Sequence, residues 1–251
     1  MSNTATVLAF DFGASSGRAI RAVYDGQNLT YEEIHRFENV PIEKDGHLCW
    51  DVETLLKEIH TAIQKAGTFD SLGFDTWGVD FGLLDADGHL LANPVHYRDA
   101  RTNGKPEQAA ACMPAEELYA HTGNQIMAIN TLFQLLALRE QEPELLQKAE
   151  QVLFMPDLFA ALLGAEPVCE RSIASTSQML DPRTGHRSRE VLAAYGLQEN
   201  RFAPIVASGT VTGTLANGAK IIAVAGHDTQ CASAAMPCAE EDTEHTAFLS
   251  C

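Results

Sequence analysis

A carboxylate followed by a turn of small residues is the first group in the chain with the composition of a reactive site. Asp11 follows a short apolar run, and the segment 13–17, made of glycine, alanine and serine, separates it from Arg18. Small residues let backbone N–H groups approach a phosphate closely, and an arginine adds positive charge. The Asp11 carboxylate could bind Mg²⁺ directly or through water. A plain hairpin turn with an exposed acid is the alternative interpretation.

Two other phosphate or nucleophile motifs are disfavoured at the same place. The segment 13–17 matches G-x-S-x-G, the nucleophile turn of serine hydrolases, which needs a strand before it and a helix after it. Residues 18–24 predict a strand instead, so we do not expect a hydrolase. The chain also lacks a Walker A sequence and a G-x-G-x-x-G after a strand, which disfavours a P-loop and a Rossmann phosphate site.

The second group is the polar tetrad Gly-His-Asp-Thr at 226–229, directly after the apolar run 220–225. Ligand sites of α/β sheets collect at the carboxyl ends of strands. There, Asp228 could accept the proton of a substrate hydroxyl. A helix start capped by Asp228 or Thr229 is the alternative. His227 and Cys231 have the spacing to face one metal, but two ligands are too few to predict a zinc site.

The third group is an aromatic residue beside a glycine, within the segment 76–80. Trp77 offers a flat wall for a sugar ring, and Gly78 leaves open space next to it. An ordinary core position for Trp77 is the alternative. The dense polar loop 96–102 follows, and a solvated surface loop is its plain interpretation.

Composition limits the partners of this chain. It has 251 residues, 45% of them hydrophobic, and a formal net charge of −17, which is ordinary globular composition with an acidic surface. A chain with this much negative charge is expected to bind nucleic acid or an anionic membrane poorly. No apolar run approaches the roughly 20 residues of a membrane helix, and the N-terminus lacks the basic region of a signal peptide. Six cysteines without a CxxC pair favour free thiols and a cytoplasmic location.

The pattern of apolar residues predicts a mixed β-sheet with helices on both faces, an α/β fold. The first three strands should be antiparallel, because Asp25 and Gly26 form a hairpin turn signal between two of them. A helix should run from its N-cap, Asp51, to a stop at Gly67. The other predicted elements are strands at 7–10, 19–24, 29–37, 72–75, 81–85, 89–92 and 220–225, helices at 105–121, 131–149 and 156–164, and a closely packed helix over 231–235.

Taken together, six segments resemble the carbohydrate kinases of the FGGY family, which have the actin-like ATPase (ribonuclease H-like) fold. One such segment alone would be weak, but six in family order along the whole chain are specific. They are DFGASSGR (11–18), DTWGVDF (75–81), YRDARTNG (97–104), NTLFQL (130–135), MPDLF (155–159) and GHDT (226–229).

The resemblance implies a reaction in which ATP, with Mg²⁺, phosphorylates a small ketose sugar. Asp228 would then be the proton acceptor, and Asp11 would lie near the metal. The residues implied to bind the ATP phosphates are Ala14, Ser15, Ser16, Gly17 and Arg18. Those implied to bind the sugar are Trp77, Gly78, Asp80, His227, Asp228 and Thr229.

The family also has a second lobe, which carries the adenosine pocket. The resemblance therefore implies that residues 1–251 are the N-terminal, sugar-binding lobe and that the second lobe is absent from this chain, which ends in a strand-like run, 246–251. We expect the isolated lobe to be inactive and to self-associate through its exposed interlobe face. Within the family, the segment 77–80 favours, as the substrate, a ketose other than xylulose, and it disfavours glycerol. A kinase for another ketose such as L-fuculose, and a non-catalytic sugar-binding module of the same fold, are the alternatives.

Overall fold

A six-stranded mixed sheet lies at the centre of the computed structural model, which describes residues 4–247 and 249. The strands in chain order are β1 (Ala5–Phe12), β2 (Ser16–Tyr24), β3 (Leu29–Glu38), β4 (Ile42–Lys44), β5 (His47–Cys49), β6 (Ser71–Thr76), β7 (Phe81–Leu84), β8 (Gln151–Phe154), β9 (Cys169–Glu170), β10 (Leu180–Asp181), β11 (His186–Arg187), β12 (Ile205–Val206), β13 (Thr210–Thr214) and β14 (Lys220–Ala223). The central sheet has the order β13-β14-β6-β1-β2-β3.

Strand direction within this sheet follows from how the strands are connected. Tight turns join β1, β2 and β3, which pair antiparallel as the sequence predicted. β6 returns to the sheet after a helix, and β14 follows β13 through an antiparallel hairpin; β6 pairs parallel with β1, and β14 pairs parallel with β6. The carboxyl ends of β1, β6 and β14 therefore meet at one edge of the sheet.

Nine α-helices occur within the described residues: α1 (Val52–Ala66), α2 (Lys105–Ala109), α3 (Ala115–Thr122), α4 (Thr131–Gln141), α5 (Pro143–Lys148), α6 (Met155–Leu162), α7 (Arg171–Ser175), α8 (Arg189–Ala194) and α9 (Asp228–Ala234). The first matches its prediction. Asp51 accepts a hydrogen bond from the backbone N–H of Thr54 at 3.2 Å, and Gly67 ends the helix at a positive φ of 65°.

Helices cover both faces of the sheet, as predicted. On one face, the Phe12 ring stacks on Phe159 of α6 with centroids 4.8 Å apart, and Phe10 stacks on Phe74 at the same distance. Side chains alternate along a strand, so Asp11 and Asp75 point to the other face. There α9 packs against β6, and its Cys231 lies within hydrogen-bonding reach of Asp75.

A second apolar core lies beside the first, and three predicted elements are corrected there. The helix predicted over 105–121 is two helices, α2 and α3, because the chain turns before Pro114. The helix predicted over 131–149 breaks at Glu142, since the residue before a proline is disfavoured in a helix. The strand predicted at 89–92 is reduced to a single bridge between Leu84 and Leu90, because the chain bends at Ala92 and pairs with Cys49 at Val95 instead.

The strand-like run predicted at 246–251 includes three residues that lie outside the described ones: 248, 250 and 251. No helix in the described part of the chain is long and apolar enough to cross a membrane. The five cysteines that the structure describes are free thiols.

Candidate active site

Three carboxylates lie at the edge where β1, β6 and β14 end. Asp11 and Asp75 are register partners on β1 and β6, and Asp228 follows β14 after a short turn. Burial raises the pKa of Asp75 to about 7, and the negative charges of Asp11 and Asp228 add to the increase. Asp75 was not among the predicted site residues. Its position at the end of a parallel strand, like that of Asp11, is the signal that would have found it.

The segment between β1 and β2 is a tight hairpin turn. The backbone N–H of Gly13 donates to the carbonyl of Ser16 at 2.9 Å, and β2 begins at Ser16. Arg18 donates two hydrogen bonds to one Asp11 oxygen, from Nε at 2.8 Å and from a terminal nitrogen at 2.5 Å. Both side chains are partly exposed. The segment is thus a hairpin turn, as the alternative interpretation predicted. The turn also places Arg18 beside the three carboxylates.

The tetrad at 226–229 forms the turn that leads into α9. The backbone N–H of Thr76 donates to the carbonyl of Gly226 at 2.9 Å, which extends the pairing of β6 past the end of β14. His227 is the N-cap residue, without a side-chain cap, and Asp228 is the first residue of the helix. An Asp228 oxygen accepts from the backbone N–H of Thr229 at 2.6 Å and lies 3.4 Å from His227 Nε2. The Asp228 side chain remains 42% exposed, so it is open to a ligand.

A cavity of about 500 Å³ opens beside this turn. We call Trp77 and Tyr97 its aromatic wall, and His227 and Asp228 its polar wall. Of the predicted sugar-binding residues, Trp77, Gly78, His227 and Asp228 line the cavity, and Asp80 and Thr229 do not. Polar residues that the sequence analysis did not select also line it: Asn124, Gln125, Asn130, Ser175, Thr176 and Gln230.

Gly78 lies where the two sides of the cavity approach each other. A Cβ atom at this position would be 3.0 Å from Thr176 Cγ2 and 3.3 Å from His227 Nε2. The next residue, Val79, has a positive φ of 67°, which is rare for a β-branched residue. Its N–H donates to Thr176 Oγ1 at 3.0 Å and its carbonyl accepts from Thr131 Oγ1 at 2.7 Å, which holds this strained turn in place.

Asp80 lies behind the aromatic wall rather than in the cavity. One of its oxygens accepts from the indole N–H groups of Trp50 at 2.7 Å and Trp77 at 3.0 Å, and from the backbone N–H of Tyr97 at 3.1 Å. The other accepts from Gln134 Nε2 at 2.8 Å. Burial raises the pKa of Asp80 to about 6, although these donors act in the opposite direction. Asp80 is fully buried and does not line the cavity, so a sugar there cannot reach it.

The aromatic wall is part of a stack of rings. The centroids of Trp50 and Trp77 are 4.0 Å apart, those of Trp50 and His96 are 4.1 Å apart, and those of His96 and Tyr97 are 4.4 Å apart. Trp77 is 6% exposed. It is thus a core residue and a cavity-lining residue at once, so its two sequence-based interpretations do not exclude each other.

This architecture is the actin-like ATPase fold, which is also found in sugar kinases of known structure. A gluconate kinase from Lactobacillus acidophilus matches 88% of this chain and 48% of its own chain, with a TM-score of 0.77 at 16% identity. A carbohydrate kinase from Novosphingobium aromaticivorans matches 93% of this chain and 50% of its own, with a TM-score of 0.76 at 20% identity. At these identities the likeness shows the fold alone.

Residues 6–234 match the N-terminal domain of the FGGY family of carbohydrate kinases. The chain belongs to this family, as the six segments predicted. A rhamnulokinase of Bacteroides thetaiotaomicron is 42% identical over 243 residues, which cover 92% of this chain and 50% of that relative. The chain thus spans about half the length of the relatives it matches.

Proposed function

We propose that this chain supplies the sugar-binding half of an ATP-dependent kinase that converts L-rhamnulose to L-rhamnulose 1-phosphate. The observation that carries the proposal is the cavity in which the exposed Asp228 carboxylate faces the same space as Trp77 and Gly78. Identity of 42% to a rhamnulokinase favours L-rhamnulose as the sugar. The segment 77–80, which the sequence analysis took as favouring one ketose over glycerol and xylulose, agrees with this choice.

In this proposal Asp228 accepts the proton of the attacking sugar hydroxyl. A hydroxyl is a poor nucleophile at neutral pH, and a carboxylate within hydrogen-bonding reach takes its proton as the new bond to phosphorus forms. Burial lowers the pKa of the neighbouring His227, so its ring is neutral and binds the sugar as a hydrogen-bonding partner. Trp77 and Gly78 orient the sugar ring.

ATP and Mg²⁺ complete the proposal. Ala14, Ser15, Ser16 and Gly17 would offer backbone N–H groups to the phosphates, and Arg18 would add its charge. The donor set fits Mg²⁺, because Asp11, Asp75 and Asp228 are oxygen ligands. Burial raises the pKa of Asp75, and the negative charges of Asp11 and Asp228 add to the increase. When bound, the ion would neutralise charge on the phosphates, and Asp11 is the residue proposed to hold it.

Calorimetric titration of this chain with L-rhamnulose tests the proposal. We expect saturable binding of L-rhamnulose, weaker binding of L-fuculose and D-xylulose, and loss of binding in Asp228→Ala. Equal affinity for L-fuculose would instead assign the cavity to another ketose. No binding of any of the three sugars by the folded chain would contradict the proposal. ATP and Mg²⁺ are then added to the chain with L-rhamnulose bound, and ADP is measured. This tests our expectation that the chain alone does not convert ATP to ADP.

A further inference from the structure

A buried carboxylate that the sequence analysis did not select, Glu170, lies behind the polar wall. Glu170 is 1% exposed. One of its oxygens accepts from the backbone N–H groups of Ser172 at 2.8 Å, Ile173 at 3.2 Å and Gly226 at 3.0 Å. The other oxygen accepts from Ser208 Oγ at 2.6 Å. One carboxylate therefore joins the start of α7 to the turn that carries Asp228.

Ser172 makes a second connection between the same two elements. Its hydroxyl donates to Glu170 at 2.5 Å and accepts from the backbone N–H of His227 at 3.3 Å. Glu170 and Ser172 thus bind the N–H groups of two consecutive residues, Gly226 and His227, immediately before Asp228. These bonds fix the direction in which the chain enters α9.

The other end of α7 reaches the opposite side of the cavity. The helix is followed by Thr176, which accepts from the N–H of Val79 at 3.0 Å and whose methyl group would lie 3.0 Å from a Cβ on Gly78. Because Glu170 caps α7 at Ser172 and Ile173, it also determines where Thr176 stands. A shift of α7 relative to the turn would change the width of the cavity between Gly78 and His227.

We propose that Glu170 is a positioning residue of this site: it sets the distance between Asp228 and the sugar-binding surface formed by Gly78 and Thr176. The inference rests on the proposed function, because it concerns the same cavity. A carboxylate is suited to this task, since its lone pairs can accept several backbone N–H groups at once. Its bonds to ordered backbone, not to the ligand, distinguish it from the residues that line the cavity.

The test compares four single variants of this chain. Glu170→Ala removes the connection to Gly226 and the acceptor that orients the Ser172 hydroxyl. Ser172→Ala removes only the connection to His227. Glu170→Gln keeps one acceptor oxygen for the backbone N–H groups while its amide faces the Ser208 hydroxyl. Asp51→Ala is the matched control, because Asp51 also caps a helix, α1, but does not line the cavity. The three measurements are the dissociation constant for L-rhamnulose by calorimetry, the backbone amide shifts of Gly226 and His227 by NMR, and the melting temperature.

We expect Glu170→Ala to weaken L-rhamnulose binding by about tenfold or more and to move both amide signals, since each hydrogen bond to a charged group is worth more than a neutral one. Ser172→Ala should move mainly the His227 signal and weaken binding by about threefold. Glu170→Gln should restore most of the affinity. Asp51→Ala should lower the melting temperature without changing the affinity or either signal.

Unchanged affinity and amide signals in both Glu170→Ala and Ser172→Ala would overturn the inference, and so would an equal loss of affinity in Asp51→Ala. If Glu170→Ala does not fold, Ser172→Ala decides by the same criteria. If the wild-type chain binds none of the sugars, the proposed function fails, and the amide signals still decide on Glu170. Signals that move in Glu170→Ala and not in Asp51→Ala would support its positioning role even then.

Discussion

The two walls of the cavity are held by two buried carboxylates whose donors differ in kind. Asp80, behind the aromatic wall, accepts mainly from side chains, above all the two indoles. Glu170, behind the polar wall, accepts mainly from backbone N–H groups of α7 and of the turn before α9. The two indole rings that donate to Asp80 are also held by stacking, Trp50 on Trp77 and Trp50 on His96. Gly226, which donates to Glu170, has no side chain and therefore no such packing.

This difference determines how each wall should respond when a substitution removes a hydrogen bond. A buried N–H that loses its acceptor costs about 1–3 kcal/mol, and a turn with two such groups can avoid the cost only by moving. Stacked rings keep their packing when one hydrogen bond is lost, since most of their stabilisation comes from buried area. The polar wall should therefore be sensitive to single substitutions, and the aromatic wall should tolerate them.

The largest effect is expected at the polar wall itself. Asp228→Asn keeps the shape of the side chain and removes the proton acceptor. The variant is made in a form of the protein that hydrolyses or transfers phosphate from ATP. Its kcat should fall by about 10²–10⁴-fold, and its affinity for the sugar should change much less. Steady-state kinetics measures both quantities, and Asp85→Asn, in an exposed turn, is the control. A kcat near that of the wild type would remove Asp228 from the mechanism.

The second-largest effect is expected at Gly78, where the two sides of the cavity approach each other. Gly78→Val puts a side chain where a Cβ alone would already be 3.0 Å from Thr176 Cγ2 and 3.3 Å from His227 Nε2. We expect L-rhamnulose affinity to fall by about 100-fold, because the valine fills space beside the Trp77 ring and displaces its neighbours. Ala216→Val adds similar bulk at an exposed position and should bind normally. Calorimetry on both variants tests this, and unchanged affinity in Gly78→Val would place the sugar elsewhere.

A third prediction concerns the acidic edge beside the polar wall. The pKa of Asp75 is about 7, raised above the 3.8 of a free aspartate by burial first and then by Asp11 and Asp228. The folded chain therefore retains a proton on Asp75 that the unfolded chain loses. The contribution of this group to stability is largest at low pH and decreases as pH rises from about 4 through 7.

Melting temperatures of the wild type and of Asp75→Asn measure this contribution without interference from the histidines, which both proteins share. The advantage of Asp75→Asn should grow between about pH 5 and pH 7 and then level off. Mg²⁺ should reduce the advantage at pH 8, since a cation stabilises the ionised carboxylates. A difference that does not depend on pH would mean that Asp75 is ionised throughout, like an exposed acid.

Sequence reasoning was most successful where local patterns determine the structure. The helix between Asp51 and Gly67, the antiparallel first three strands and the family itself were predicted, because capping, alternation and motif order are local properties. The breaks at residues 110–114 and at Glu142 were missed, although Pro114 and Pro143 are local signals for both of them.

The candidate site was predicted less completely, for a physical reason. Trp77, Gly78, His227 and Asp228 belong to recognisable motifs and do line the cavity. The role of Glu170 depends on a contact with Gly226, 56 residues away along the chain, and no pattern near Glu170 indicates it. Asp80 lies in a motif, but only the fold shows that it is fully buried behind the aromatic wall. The proposed phosphate-binding role of residues 14–18, the cytoplasmic location and self-association stay predictions.

The smallest effect is expected at the aromatic wall. In Asp80→Asn, the remaining oxygen can still accept from Trp50, Trp77 and Tyr97, but the new amide faces the amide nitrogen of Gln134. Gln134 cannot simply rotate, because its oxygen accepts from Arg101 at 3.0 Å and its nitrogen also donates to the carbonyl of Ile129 at 2.9 Å. The conflict therefore falls on Gln134 and Arg101, while the rings stay stacked. We expect L-rhamnulose affinity to fall by only about two- to fivefold.

Intrinsic fluorescence reports on this wall directly, because the chain has 2 tryptophans and both bond to Asp80. Asp80→Asn should change the emission of the indoles even where sugar affinity is nearly kept. Adding Gln134→Glu should reverse both effects in part, since the new carboxylate accepts from the amide of Asn at position 80 and pairs with the buried Arg101, but cannot donate to the carbonyl of Ile129. A loss of affinity in Asp80→Asn as large as that in Glu170→Ala would contradict the comparison, because it would mean that the stacked rings depend on one acceptor as strongly as the turn before Asp228 does.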